Sequence, residues 1–298
     1  MAKLVVCIMG QDCEKWIDMC IESVKDADEI VYCDGGSQDE TIIKARAWAG
    51  IRMIYNPFDQ DDKTMNGKQR NFYLDYLKKN FPDDWALCLD ADEVVEDLEK
   101  IKDFIHTAKP GVYSPKMRHL IQDLSHEDAV TPEHTVPNRL FKISEVLEYP
   151  EQEHPVLQPK NIEHQFAYWD TTIWHLAYIP NLWDLKKRYE NHLAKSEIHT
   201  SEYLKQWYYG HIFGTYPKRQ FNPAELPRII LKTFGVDKDE LYFANRKLEV
   251  KHFIDAIQWK DFFKCKNAIE FGCGRGPRVF AMNNVGIECQ GPGLNVSF

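Results

Sequence analysis

No stretch of this 298-residue sequence approaches the roughly 18 consecutive apolar residues that span a membrane, so no transmembrane helix is expected. Positive charge is in deficit. With 37 Lys and Arg against 46 Asp and Glu, the net charge is −9, which argues against a nucleic-acid partner. The eight cysteines are scattered without a C-x-x-C pair, and Cys7, Cys33 and Cys88 sit in apolar runs. That usage reads as reduced core thiols of a cytoplasmic protein and not as a disulfide frame or a zinc site. The opening MAKLVVCIMG meets Gln11 and Asp12 too soon for a signal peptide. Early in the chain there is neither a G-x-G-x-x-G turn nor a Walker A lysine, so neither a dinucleotide fold nor a P-loop is supported there.

What the chain does have is the stretch Trp85 to Glu93, WALCLDADE. Five apolar residues in a row read as a strand buried on both faces. They end abruptly in Asp90, Asp92 and Glu93. A strand of a parallel sheet delivers its C-terminal end to a ligand crevice. Crowded carboxylates repel unless a cation lies between them, and Asp90 and Asp92 are placed to share a hard divalent ion. The competing account is a solvated turn opening an acidic helix from Asp92 to Lys100.

The chain before this stretch alternates strand and helix. Leu4 to Met9 reads as a first strand, Asp12 to Val24 as a helix with apolar residues at helical spacing, and Glu29 to Cys33 as a second strand. The turn DGGSQDET follows, with a helix running to about Ala49 and a third strand from Ile51 to Tyr55. This order predicts an α/β fold with a mostly parallel sheet flanked by helices. Asp34 closes the second strand, where an acid can contact a nucleotide; an Asx turn explains it as well. A polar loop from Asn56 to Gly67 precedes a helix from Lys68 to about Asn80. Lys68 and Arg70 stand at its start, where the helix dipole disfavours cations, so they are solvated or face an anion such as a diphosphate.

These motifs, in this order and at about this spacing, resemble the family-2 glycosyltransferases with the GT-A type Rossmann-like fold, and in detail the soluble branch that builds lipopolysaccharide cores and cell-surface glycans. The resemblance covers residues 1 to about 110 and, more loosely, 111 to about 230. It implies a metal-dependent, inverting transfer of a sugar from a nucleoside-diphosphate sugar, such as a UDP- or GDP-sugar, to a glycan or lipid-linked glycan acceptor. Asp34 and Asp90 would then contact the nucleotide sugar, with Lys68 or Arg70 at the diphosphate. Asp90 and Asp92 would hold Mn2+ or Mg2+. Where the family carries Asn-Glu after the first strand, this chain has Gln11-Asp12, which leaves the base contact of Gln11 open.

Farther on, Gly111 to Met117 and Asn138 to Lys142 read as strands, with an acidic loop from His119 to Thr135 between them. NRLFK resembles an R-L-F-R stretch of the same branch. A histidine ending a strand before a basic helix matches the family's metal-binding histidine, which nominates His175 as third ligand, with His154 as a weaker candidate. Glu127, Asp128 and Glu153 are candidates for the general base. Residues 201–263 turn mostly helical and aromatic. Residues 267–276 resemble the first motif of S-adenosylmethionine-dependent methyltransferases, in a fragment too short to bury both faces of a sheet. The expected domains are therefore a transferase domain at 1–230, a helical extension at 231–264 and a truncated methyltransferase-like β-α-β fragment at 265–298, and oligomerisation is open. Two other classes remain: a nucleotidyltransferase, and a non-catalytic glycan-binding or assembly protein on a decayed transferase.

Overall fold

The computed structural model describes residues 2–59, 62, 64–131, 138–144, 147–152, 155–159, 166–179, 186, 189–190, 193–194, 200–213 and 216–235. Both the methyltransferase-like motif and the proposed fragment at 265–298 lie outside the described residues.

The chain divides into two compact units, and the larger comprises residues 1–119, 128–177 and 225–234. Its first strand, β1 (Leu4–Gly10), pairs in parallel with β2 (Glu29–Asp34) on one side and β4 (Trp85–Asp90) on the other, while β3 (Ile51–Tyr55) extends the row beside β2. Antiparallel β8 (Leu140–Lys142) lies beside β4, and β6 (Val112–Ile121) beside β8. The predicted parallel α/β sheet is therefore present, with antiparallel strands at one side.

Side chains of successive strand residues point to opposite faces, so the apolar runs of β1 and β4 supply two cores. Leu4, Val6 and Ile8, with Trp85, Leu87 and Leu89, face α1 (Ile17–Val24) and α4 (Leu98–Thr107). Val5 and Cys7, with Ala86 and Cys88, face Tyr73, Leu74 and Leu77 of α3 (Met65–Asn80). Each fully buried Leu or Ile contributes roughly 1.5–3 kcal/mol relative to exposure, which is why the central strands need no polar face.

Several boundaries differ from the sequence expectation for local reasons. Helix α1 begins at Ile17, five residues after Asp12, because Asp12 takes a left-handed backbone (φ 50) and the Cys13 amide donates to Thr41 Oγ1 across to α2 (Thr41–Ala47). After Asp92 the chain forms β5 (Glu93–Val95), not a helix; α4 starts only where Asp97 accepts the Lys100 amide at 3.0 Å. His119 lies on β6, not in a loop, and the acidic segment forms β7 (His126–Asp128). Strand β11 (Phe166–Tyr178), following the two-stranded pair β9 (Leu147–Glu148) and β10 (Gln158–Pro159), pairs with β5 and β6.

Helix α3 is pinned to residues 149–152. Asn71 donates to the Tyr149 carbonyl and accepts the Tyr149 amide, both at 2.8 Å. Gly67 lets the backbones meet: a Cβ there would lie 2.3 Å from the Pro150 carbonyl oxygen and 2.7 Å from Glu151 Cα. Gly67→Ala is expected to destabilise the protein by about 1–3 kcal/mol despite the better helix propensity of alanine, measured by urea unfolding.

The second unit comprises residues 120–127, 178–224 and 235–298. In it, α5 (Ser201–Phe213) presents His211 between the rings of Tyr178 and Tyr216, with centroids at 5.2 and 4.3 Å. Tyr189 stacks on Tyr208 at 4.5 Å. The Phe221 amide, just after β12 (Lys218–Gln220), donates to the Ser125 carbonyl at 3.0 Å. The short α6 (Arg228–Thr233) returns to the first unit. Much of the expected helical stretch 201–263 lies outside the described residues. No described helix is long and apolar enough to cross a membrane.

Candidate active site

Parallel pairing lines up the C-terminal ends of three strands. Gly10 of β1 registers with Asp34 of β2, and Met9 with Asp90 of β4. The Ala91 amide donates to the Met9 carbonyl at 2.9 Å and the Gly35 amide to the Gly10 carbonyl at 2.8 Å, so the turns after β4 and β2 are tied to the same edge. This is where an open α/β sheet binds ligands.

Asp90 is held by two arginines. Arg70 Nη2, from α3, donates to both its oxygens at 2.8 and 3.1 Å, and Arg139 Nη2, which immediately precedes β8, donates to Oδ2 at 2.9 Å. Arg139 Nη2 also reaches Glu93 Oε1 at 2.5 Å, and Glu93 Oε2 accepts the Asp90 amide at 2.8 Å. Burial alone would raise the Asp90 pKa, but Arg139 and Arg70 together hold it well below the usual carboxylate range. Glu93 goes the other way: burial, reinforced by Asp90 and Asp92, pushes it up to about 8 against the pull of Arg139. Asp90 nevertheless keeps 30% of its side chain exposed, while Arg70 and Arg139 keep 11% and 6%. The ion cluster thus presents one carboxylate to the crevice and buries the cations behind it.

Asp92 lies beyond this cluster, toward β11. Its carbonyl accepts the Leu176 amide at 2.9 Å, and its Oδ1 stands 3.7 Å from His175 Nε2. His175 sits opposite Glu93 in the β5–β11 pairing, and its Nδ1 is 2.8 Å from Nδ1 of His119 on β6. Burial, and after it the nearby His175, lower the His119 pKa to about 3, so His119 is neutral at physiological pH.

Of the three expected metal ligands, Asp92 and His175 come together, while Asp90 is committed to its arginines. Among the described residues no three His, Cys, Asp or Glu side chains form a ready-made cage. The remaining pair still fits a divalent ion. Mg2+ and Mn2+ sites that act on phosphates commonly use one or two protein ligands and take the rest from substrate oxygens and water. An imidazole beside a carboxylate suits Mn2+ better than Mg2+, which prefers oxygen.

The other candidates are placed as follows. Asp34 is 1% exposed and accepts from the Gly36 and Ser37 amides and from Ser37 Oγ at 2.8, 3.0 and 2.6 Å, so its carboxylate organises the turn. Gly36 has φ +91, a backbone that favours glycine. Gln11 is half-buried against the same turn; a Cβ on Gly35 would lie 3.0 Å from Gln11 Cβ. Lys68 pairs at the surface with Asp62 at 2.5 Å, so of the two cations opening α3 it is Arg70 that reaches the strand end. Asp128 accepts from the Val130 and Thr131 amides and the Thr131 hydroxyl, and Glu127 accepts from Arg219 Nε at 2.7 Å. Glu153 and His154 lie outside the described residues.

Arg139, Glu93 and His119 went unassigned from sequence. Arg139 stands in NRLFK and Glu93 in DADE, but their partnership depends on β8 pairing with β4, which no local pattern announces.

The family model of glycosyl transferase family 2 matches residues 4–166. Among solved structures, glucosyl-3-phosphoglycerate synthase from Mycobacterium tuberculosis, in complex with Mn2+, UDP and glucosyl-3-phosphoglycerate, is 20% identical with a TM-score of 0.31; the match covers 39% of this chain and 44% of that one. S. aureus TarS, as residues 1–349 in complex with UDP, is 14% identical with a TM-score of 0.38, and the match covers 86% of this chain and 80% of that one. A further mycobacterial protein is 20% identical with a TM-score of 0.31, over 40% of this chain and 42% of its own. The chain thus spans less than half the length of the mycobacterial structures it matches. No curated protein matches it.

Proposed function

The chain belongs to glycosyl transferase family 2, and from that premise we propose that it is a metal-dependent, inverting glycosyltransferase using a UDP- or GDP-sugar. The observation that carries this reading is the pairing of Asp92 with His175 beside an Asp90 locked by two arginines, all at the C-terminal end of β4.

Asp92 and His175 would hold Mn2+ or Mg2+, which when bound supplies positive charge to the diphosphate as it departs. Arg70 and Arg139 fix Asp90 so that its exposed face is available to the nucleotide sugar, and the turn built on Asp34 and Gln11 forms the neighbouring wall. In the reaction the bond from the anomeric carbon to the diphosphate oxygen breaks, and a bond from the acceptor hydroxyl oxygen forms on the opposite face. The hydroxyl proton passes to a base. Asp128, Glu127 and Glu153 are the candidates for that base. Of the candidates that are described, Asp128 accepts from the Val130 and Thr131 amides and the Thr131 hydroxyl, and Glu127 is paired with Arg219. The acceptor is a glycan or lipid-linked glycan hydroxyl.

Proton NMR of UDP- and GDP-sugars incubated with the protein tests the assignment. Without an acceptor, water takes the acceptor's place. Slow release of free sugar with inverted anomeric configuration, dependent on Mn2+ and abolished by EDTA, is expected. A retained anomer would refute inversion, and an untouched donor across the series, with and without cell-surface glycan acceptors, would refute catalysis.

A further inference from the structure

We infer that His119 is a positioning residue for the metal site: it accepts the Nδ1 proton of His175 and so presents the Nε2 lone pair of His175 beside Asp92. This rests on the metal-dependent reading above.

Ring geometry and proton count assign this role. An imidazole carries one proton when neutral, and a nitrogen that binds a metal must not be the one that holds it. His175 Nε2 is the nitrogen that faces Asp92, at 3.7 Å from Oδ1. For Nε2 to ligate, the proton must sit on Nδ1 and needs an acceptor there. His119 Nδ1 stands 2.8 Å away, with the two rings edge-on at 80° and 4.8 Å between centroids. With the nitrogens closer together than the centroids, the two Nδ1 atoms lie between the rings, so a proton on one is directed toward the lone pair of the other. His119 then carries its own proton on Nε2 and is neutral.

The sheet fixes this pair. His119 is on β6 and His175 on β11, two strands that pair with each other, while β5 on the other side of β11 carries Glu93 opposite His175. The guanidinium of Arg118, the residue before His119, lies over the Trp174 ring at 4.3 Å, so the same two strands are locked one residue earlier as well. Partners that fix the tautomer and ring of a ligating histidine commonly change metal affinity 10–100-fold when removed.

The test measures Mn2+ binding to the full chain by electron paramagnetic resonance of the free ion, in wild type and in His175→Ala, His119→Asn, His119→Gln and His119→Phe. Asparagine places its amide oxygen close to the position of Nδ1, whereas glutamine places its oxygen nearer to Nε2. Wild type should bind Mn2+ in a manner that His175→Ala abolishes. His119→Gln and His119→Phe should weaken binding 10–100-fold, and His119→Asn should restore it to within about threefold of wild type. Thermal unfolding of each variant shows that it is folded. Equal affinity in all the His119 variants, or a loss in His119→Asn as large as in His119→Phe, would overturn the positioning role while leaving the metal site standing. Wild-type protein that binds no Mn2+ through His175 would overturn the metal reading, and this inference with it.

Discussion

Replacing Arg139 with methionine is expected to cost the fold about 3–5 kcal/mol at pH 9, the usual loss when one partner of a buried ion pair is removed. Arg139 is the cation that Asp90 shares with Glu93, and Glu93 is 1% exposed. Arg70 still serves Asp90 in the variant, so the uncompensated charge is that of Glu93. The cost therefore depends on pH. With Arg139 present, Glu93 already titrates near 8, and removing the cation raises its folded pKa further above the unfolded value of about 4.3. A carboxyl whose folded pKa is raised contributes stability at acid pH and loses it as pH climbs through the folded value. Arg139→Met should thus be milder at pH 6 than at pH 9. Adding Glu93→Gln should remove the pH-dependent part. Urea unfolding at the two pH values measures all of this. A cost below about 1 kcal/mol at pH 9, or one that does not change with pH, would contradict the account.

Asp92→Asn is expected to leave the fold intact and remove the function. Asp92 contributes its side chain to the edge of the crevice, and its backbone carbonyl, which the substitution keeps, makes the bond to Leu176. Asparagine preserves the shape but removes the negative charge that would anchor the cation. Metal stabilisation of developing charge is worth several kcal/mol, and each 1.36 kcal/mol is tenfold in rate, so kcat should fall on the order of a thousandfold. The measurement is sugar transfer or donor hydrolysis at saturating Mn2+, with thermal unfolding alongside. A variant that turns over within tenfold of wild type would remove Asp92 from the site.

Much of the scaffold was legible because it is written in short continuous apolar runs, the mark of strands buried on both faces. Leu4 to Met9, Glu29 to Cys33 and Trp85 to Leu89 each became a central strand with bounds changed by a residue or so. Asp90 and Asp92 were legible for a related reason: an apolar run that stops in acids marks a strand end. His175 was visible only through the family's order of motifs, since a histidine in an aromatic strand is ordinarily core. What stayed hidden depends on contacts between residues far apart in sequence. Arg139 meets Glu93 across 46 positions, and His119 meets His175 across 56. The strand after Asp92 was hidden for the same reason. Glu93, Val94 and Val95 are extended because β11 arrives to pair with them, and local acidity alone suggests a helix.

Calorimetric titration of UDP, GDP, CDP and dTDP, each with Mn2+ and with EDTA, tests the central claim most directly. One of the nucleotides, UDP or GDP first, is expected to bind in the presence of Mn2+, to lose that binding in EDTA and to lose it again in Asp92→Asn. Binding of none of the four in Mn2+, or binding indifferent to both EDTA and Asp92→Asn, would contradict it.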